Sequence, residues 1–329
     1  MINVAIIGFG FMGLTHANSI LKNKRLCLKA IITRDAGGVP TRLNQLKGNF
    51  SSGEVNADAI LSLPVYKTLR ECLKHEKINA VHICVHTDLH YEMATEAIEC
   101  GLHVFLEKPM TLRHEEGKLM IAFARQQRVK LMVGHVLRFM PAYQKLKEWI
   151  DTKAFGALRF ISLTRFSGLP SWGQWKEKQD KFGSSGGALF DLVIHDIDFL
   201  NYALGRPEKI ESINRPGSLS MHDYIVASWH YKDLEAKIEG GNTFHSTFPF
   251  QAGYMARFDN ASVAYTSLLP TSIQVCTDND LTNVCAGDPN DGFYNEFDYF
   301  ADCIENGKDP LVCMPESSLK TIELCYEHL

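Results

Sequence analysis

Three groups of residues have types and spacings that chemistry can use. The first is Gly8-Phe9-Gly10-Phe11-Met12-Gly13, a complete G-x-G-x-x-G. Gly8 permits a tight turn, Gly10 lets a pyrophosphate approach the backbone, and Gly13 lets a helix pack closely on a strand. The second is Glu107-Lys108-Pro109. Pro109 keeps Lys108 out of the helical region. A partly desolvated lysine there could polarise an oxygen or exchange a proton with a hydroxyl. Taken alone, such a tripeptide is more often a surface turn. The third is Asp191 and His195, four residues apart on an expected helix, so both point the same way. A histidine titrates near ~6.5 when unperturbed and suits acid/base work at neutral pH. Asp191 could fix its ring or hold a neighbouring hydroxyl. The competing reading of His195 is a satisfied core histidine.

These groups need elements to place them. Residues 2–7 form an apolar run ahead of the glycines and read as a buried strand, and 11–21 read as a helix. That helix would aim its N-terminal amides and positive dipole end at a phosphate. A second strand, 28–33, ends in Thr33-Arg34-Asp35, where a dinucleotide fold meets the adenosine ribose. An acid there favours NAD, whereas an arginine can pair with a 2′-phosphate and favours NADP. Arg34 comes first, which leans towards NADP and leaves NAD open. Further strands are expected at 80–85, 103–106 and 130–133. Their C-terminal ends bring Val85, Thr87 and His90, then Glu107 and Lys108, then His135, to the ligand edge of a doubly wound sheet. Val85, Thr87, His90, Glu107 and Lys108 are candidate cofactor contacts alongside Phe9, Phe11, Met12 and Thr33. Strand alternating with helix implies a parallel sheet covered on both faces.

From residue 156 onward, alternating strands dominate and imply a mostly antiparallel sheet. The expected class is α/β: a Rossmann domain over 1–122, then an α+β domain over 123–329 with a large open-faced sheet. The helix carrying Asp191 and His195 runs to about residue 204, with Asp198 and Tyr202 continuing its polar stripe. Arg138, Arg165, Trp172, Trp175, Tyr254 and His135 lie on segments that could meet a substrate. Aromatic rings stack on sugar faces, and arginine binds hydroxyls or a carboxylate. For the two tryptophans, a core or subunit contact is an equal alternative.

The chain has 329 residues, 45% of them apolar and 22% charged, with net charge −4. That is ordinary for a soluble globular protein of two domains and gives no reason to expect nucleic acid or a membrane as partner. No secretory signal or 20-residue apolar stretch is expected. The nine cysteines contain no C-x-x-C pair, which fits reduced thiols in a cytoplasm. His135, Asp191 and His195 could be imagined around a metal, but nicotinamide chemistry needs none.

Together, Gly8 to Gly13, Glu107-Lys108-Pro109 and the Gly186, Gly187, Asp191, His195 run resemble the Gfo/Idh/MocA oxidoreductases over nearly the whole chain. The resemblance implies a Rossmann domain followed by an open-faced domain whose sheet forms a dimer or tetramer interface. It implies hydride transfer between NAD(P) and a carbinol or carbonyl carbon of a sugar, polyol or related cyclic compound. By resemblance, Lys108, Asp191 and His195 are the catalytic set. Two other functions use the same scaffold: glycoside cleavage through a held NAD, and dinucleotide sensing without catalysis. The presence of all three catalytic positions counts against the sensor.

Overall fold

A computed structural model describes residues 1–43, 56–169 and 186–329. The chain forms two compact units. The first takes Met1–His135 with Phe293–Leu319, and the second takes Val136–Gly292 with Lys320–Leu329. The first unit therefore runs past the expected boundary at residue 122, because the strand that follows belongs to its sheet.

That sheet holds β1 (Ile2–Ile7), β2 (Leu26–Ile32), β3 (Val65–Tyr66), β4 (Ala80–Ile83), β5 (His103–Glu107) and β6 (Leu131–Gly134). All pairs are parallel, in the order β3-β2-β1-β4-β5-β6. The pairing puts Ile32, Ile7, Ile83, Leu106 and Val133 in one row. The residues just beyond that row consequently share one edge: the glycine loop, Thr33-Arg34, Cys84-Val85, Glu107-Lys108 and Gly134-His135. The strand order reverses beside β1, which is where such sheets take ligands.

Buried parallel strands are apolar on both faces, and the side chains alternate between two layers. Ala5, Ile7, Val81, Ile83, Val104 and Leu106 form one layer with Ala94, Ala97 and Ile98 of helix His90–Glu99 and Met120, Ile121 and Ala124 of helix His114–Gln126. The opposite layer contains His82 and Phe105, which meet His16 of helix Phe11–Lys22 and Phe297 and Phe300 of helix Asp291–Glu305. Sequence reading missed the last of these helices.

The second unit holds β7 (Leu158–Gly168), β8 (Lys209–Arg215), β9 (Tyr224–His230), β10 (Glu235–Phe244), β11 (Gln251–Phe258), β12 (Ser262–Thr266), β13 (Ser272–Cys276) and β14 (Leu281–Cys285). Their order is β14-β13-β12-β11-β7-β10-β9-β8, with β7 and β10 parallel and the other pairs antiparallel. Ala227, Ile238, Leu163, Tyr254, Tyr265 and Ile273 lie side by side across six strands, all buried. The residues that alternate with them are mostly half-buried or exposed, Met255 and Arg257 among the exposed. This alternation of wet and dry faces marks an antiparallel sheet covered on one side.

Candidate active site

The glycine loop is shaped as its sequence requires. Gly8 has φ +93°, and a Cβ there would lie 2.7 Å from the Cys84 carbonyl oxygen. A Cβ on Gly13 would collide with the Gly8 carbonyl oxygen, whereas one on Gly10 would project into open space. Helix Phe11–Lys22 begins there with no acid in its first turn and no side-chain cap on its N-terminus. Positive backbone dipoles facing an open approach fit a pyrophosphate. Phe9 is 2% exposed and turned into the core, while Phe11 and Met12 are half-buried.

At the end of β2, the Thr33 amide donates to the Tyr66 carbonyl of β3. Arg34 and Asp35 are both exposed. The Asp35 carboxylate accepts the Gly38 amide at 3.1 Å and caps the short turn Ala36–Gly38. Beyond β4, Val85 and Thr87 are half-buried at the edge. His90 is 1% exposed, with Nδ1 2.8 Å from the Pro109 carbonyl and Nε2 3.1 Å from the Val85 carbonyl. Its neutral ring sits between the loop after β4 and the loop after β5 and donates to one of the two carbonyls, which is a structural duty.

Lys108 is half-buried, and the Lys108–Pro109 bond is cis, as the sequence allows. Glu107 turns inward and is 6% exposed. Its Oε2 accepts the Lys108 amide at 3.2 Å, and its Oε1 lies 2.7 Å from His16 Nε2. Burial pushes the carboxyl up, but His16 and the Lys108 charge outweigh it, so its pKa falls below the usual value. His135 follows β6 and is 1% exposed.

In the second unit, the helix bearing Asp191 and His195 starts as a π turn, Leu189–Val193, and continues as an α-helix, Ile194–Leu204. The sequence spacing predicts an α-helix throughout. A π turn bonds i to i+5 and is wider, so the Asp191–His195 pair is displaced from simple one-turn stacking. From Leu189 to Leu200 only Asp191 and His195 are not fully buried. The helix lies close on β10 at Gly240, where a Cβ would stand 2.9 Å from Val193 Cγ2.

Arg138 and Arg165, expected at a substrate, instead make buried ion pairs. They are 2% and 5% exposed. Arg165 of β7 grips Asp196 through Nε and a terminal nitrogen at 2.8 and 2.9 Å. Arg138, in the turn Val136–Arg138, grips Asp198 at 2.8 and 2.6 Å. The Thr321 hydroxyl adds a 2.8 Å bond to Asp198. Burial draws the Arg165 pKa down, but Asp196 more than offsets it and the guanidinium stays charged. Asp198, expected on the polar stripe, is therefore interior. Tyr254 is also buried, its hydroxyl donating to the Ala142 carbonyl at 2.9 Å. Trp172 and Trp175 lie outside the described residues. Sequence reading missed His16, His82 and Glu296 behind the first sheet edge and Asp196, and it placed Asp198 on the polar stripe rather than against Arg138. The one signal was a titratable residue, His82, inside an apolar strand. No cluster able to hold a metal occurs among the described residues.

Residues 2–135 match the family model for the oxidoreductase family with an NAD-binding Rossmann fold. Residues 143–277 match the Gfo/Idh/MocA C-terminal domain. An uncharacterised oxidoreductase of Synechocystis is 32% identical over 214 residues, 64% of this chain and 53% of that protein, so the match spans about half of that relative's length. A scyllo-inositol 2-dehydrogenase (NAD(+)) of Bacillus subtilis is 26% identical over 94% of this chain and 88% of its own. The structure of a levoglucosan dehydrogenase with NADH and levoglucosan superposes with TM-score 0.80 at 18% identity, covering 99% of this chain and 95% of the other. Its fold, its glycine cradle and both halves of the family pattern agree: the chain belongs to the Gfo/Idh/MocA family of NAD(P)-dependent oxidoreductases.

Proposed function

We propose that this protein is a dehydrogenase or reductase for a secondary hydroxyl of a cyclic polyol or sugar. The observation that carries the reading is the helix Leu189–Leu204, buried along its length up to Leu200 except at Asp191 and His195. A core helix that surfaces only an acid and an imidazole presents acid/base groups. Polyol and sugar substrates named for the inositol and levoglucosan relatives support the substrate class.

The nicotinamide, when bound, accepts or returns the hydride. Gly8, Gly10, Gly13 and the amides of Phe11 and Met12 would hold the pyrophosphate. His195 takes the hydroxyl proton as the carbonyl forms, Asp191 orients the imidazole or a neighbouring hydroxyl, and Lys108 polarises the oxygen. Arg34 meets a 2′-phosphate and favours NADP, since the Asp35 carboxylate is already a helix cap. The residues between the buried rows of the second sheet face a second copy of the chain in a dimer or tetramer. All nine cysteines are free thiols, and no helix among the described residues is long and apolar enough to cross a membrane. Both suit a cytoplasmic enzyme.

The test is a titration of nucleotide-free protein with NADPH and NADH, followed by a panel of inositols and hexoses on the tighter nucleotide. Reduction of NADP+ or NAD+ by at least one cyclic polyol is expected. Tight nucleotide binding with bond cleavage of a glycoside and no net cofactor change would favour the glycoside reading. Binding of neither nucleotide would overturn the proposal.

A further inference from the structure

Behind the Glu107-Lys108 turn lies a buried polar cluster with no evident need in a hydrophobic layer. His16, His82 and Glu296 are each 0% exposed and Glu107 6%. They sit among Phe105, Phe297 and Phe300, with the His82 ring stacked on Phe105 at 4.7 Å. Polar groups in such surroundings are costly unless hydrogen-bonded.

The bonds converge on Glu107. Ionised Glu107 can only accept, so His16 carries its proton on Nε2 and donates it to Oε1 at 2.7 Å. His16 Nδ1 is the ring's second polar atom. It faces His82 Nδ1 at 3.2 Å and Cys84 Sγ at 3.3 Å. Burial keeps His82 neutral, and one proton lies between its Nδ1 and His16 Nδ1. Burial and the Glu107 charge push the Glu296 carboxyl well above the usual carboxylate range and favour its neutral form. The other Glu107 oxygen accepts the Lys108 amide.

We propose that His16 is a positioning residue for Lys108, acting through Glu107. His16 stands on the helix that begins in the glycine loop. One 2.7 Å bond therefore joins the seat of the pyrophosphate to the turn that carries the lysine. The carboxylate is held at both ends, so the backbone of Lys108 is fixed relative to the nucleotide cradle. This role rests on the dehydrogenase reading for its purpose, but the linkage stands apart from it.

The test compares His16→Leu, which removes both bonds, with His16→Gln, whose amide can donate to Glu107 and accept from His82. Lys108 is trace-labelled with acetic anhydride in the full chain, and its labelling is read against exposed Lys153 by peptide mass spectrometry. His16→Leu is expected to change the Lys108/Lys153 ratio at least about threefold and to lower kcat at least about tenfold, with nucleotide Kd within about twofold. His16→Gln should stay within about twofold of the wild type in all three. An unchanged ratio in His16→Leu, or an equal shift in His16→Gln, overturns the proposal. Should His16→Leu fail to fold, Glu107→Gln serves, because its amide oxygen can satisfy only one of the two donors; an unchanged labelling ratio there also overturns it. A wild type that turns over no polyol sinks the dehydrogenase reading, and the labelling ratio still decides this one.

Discussion

His195 differs from every histidine of the first unit's core in what surrounds it. His82 and His90 are enclosed, whereas His195 reaches the surface from a helix whose flanks are buried. A group so placed can give and take protons without leaving a rigid support. His195→Ala and Lys108→Ala should each lower kcat by about 10²-fold or more, the usual worth of a positioned acid/base. Nucleotide Kd should stay within about twofold, because neither removes a phosphate contact. Pre-steady-state hydride transfer with saturating nucleotide checks this; full activity in both variants would remove the catalytic assignment. Arg34→Ala separates the cofactors. Loss of a charge-assisted bond of about 1.5–3 kcal/mol should weaken NADPH at least about tenfold and leave NADH nearly unchanged. Equal weakening of both would show that Arg34 does not meet a 2′-phosphate.

The helix Ile194–Leu204 is held by two arginine forks from different sides. Asp196 and Asp198 are two residues apart, about 200° around an α-helix, so Arg165 and Arg138 approach from nearly opposite directions. Such pairs fix orientation more than they stabilise, since desolvation offsets much of the attraction. Asp198→Leu should destabilise the chain by about 3–5 kcal/mol by leaving Arg138 buried and unpaired, and Arg138→Met with Asp198→Leu and Thr321→Val should recover most of that. Urea denaturation reads both, and the triple variant should remain folded but lose kcat through a loosened helix. A triple variant with wild-type kcat would show that the forks do not orient His195. Elements of the first sheet were legible because parallel strands are apolar throughout and their glycine, proline and lysine punctuation is local. β13 and β14 were not, because β14 is an edge strand with mostly exposed residues and little apolar signal. The π turn has no sequence signature in Leu-Phe-Asp-Leu-Val. The arginine forks and the His16–Glu107 bond were hidden for another reason. Each joins residues 31 to 91 positions apart, and a polar residue that ends up buried reads locally like one at a site.

Across the molecule, the buried titratable groups set how stability responds to pH. His82, His90, His103 and His328 have pKa values lowered chiefly by burial, so each folds neutral. Unfolding frees them to take a proton near pH ~6.5, so their contribution is lost as pH falls below about 6.5 towards their folded values. Glu296 acts on the other side. Its pKa is raised well above 4.5 by burial and then by Glu107, so it folds protonated and ionises only when the chain unfolds. That stabilisation is complete below about pH 4.5 and declines as pH rises through the folded value. Glu296→Gln keeps the shape of the neutral acid and removes the ionisation. Its Tm should therefore exceed the wild type's by a margin that grows as pH rises above about 4.5 and levels once the folded value is passed. His82→Phe, which preserves the stack on Phe105, should instead flatten the acid limb below about pH 6.5. Thermal unfolding of both variants against pH measures the two limbs independently. A Glu296→Gln margin that is constant with pH would mean that this carboxyl is ionised in the folded chain. Glu107 would then share its buried layer with a second negative charge, and the hydrogen bonds that converge on it from His16 and Lys108 would have to be redrawn.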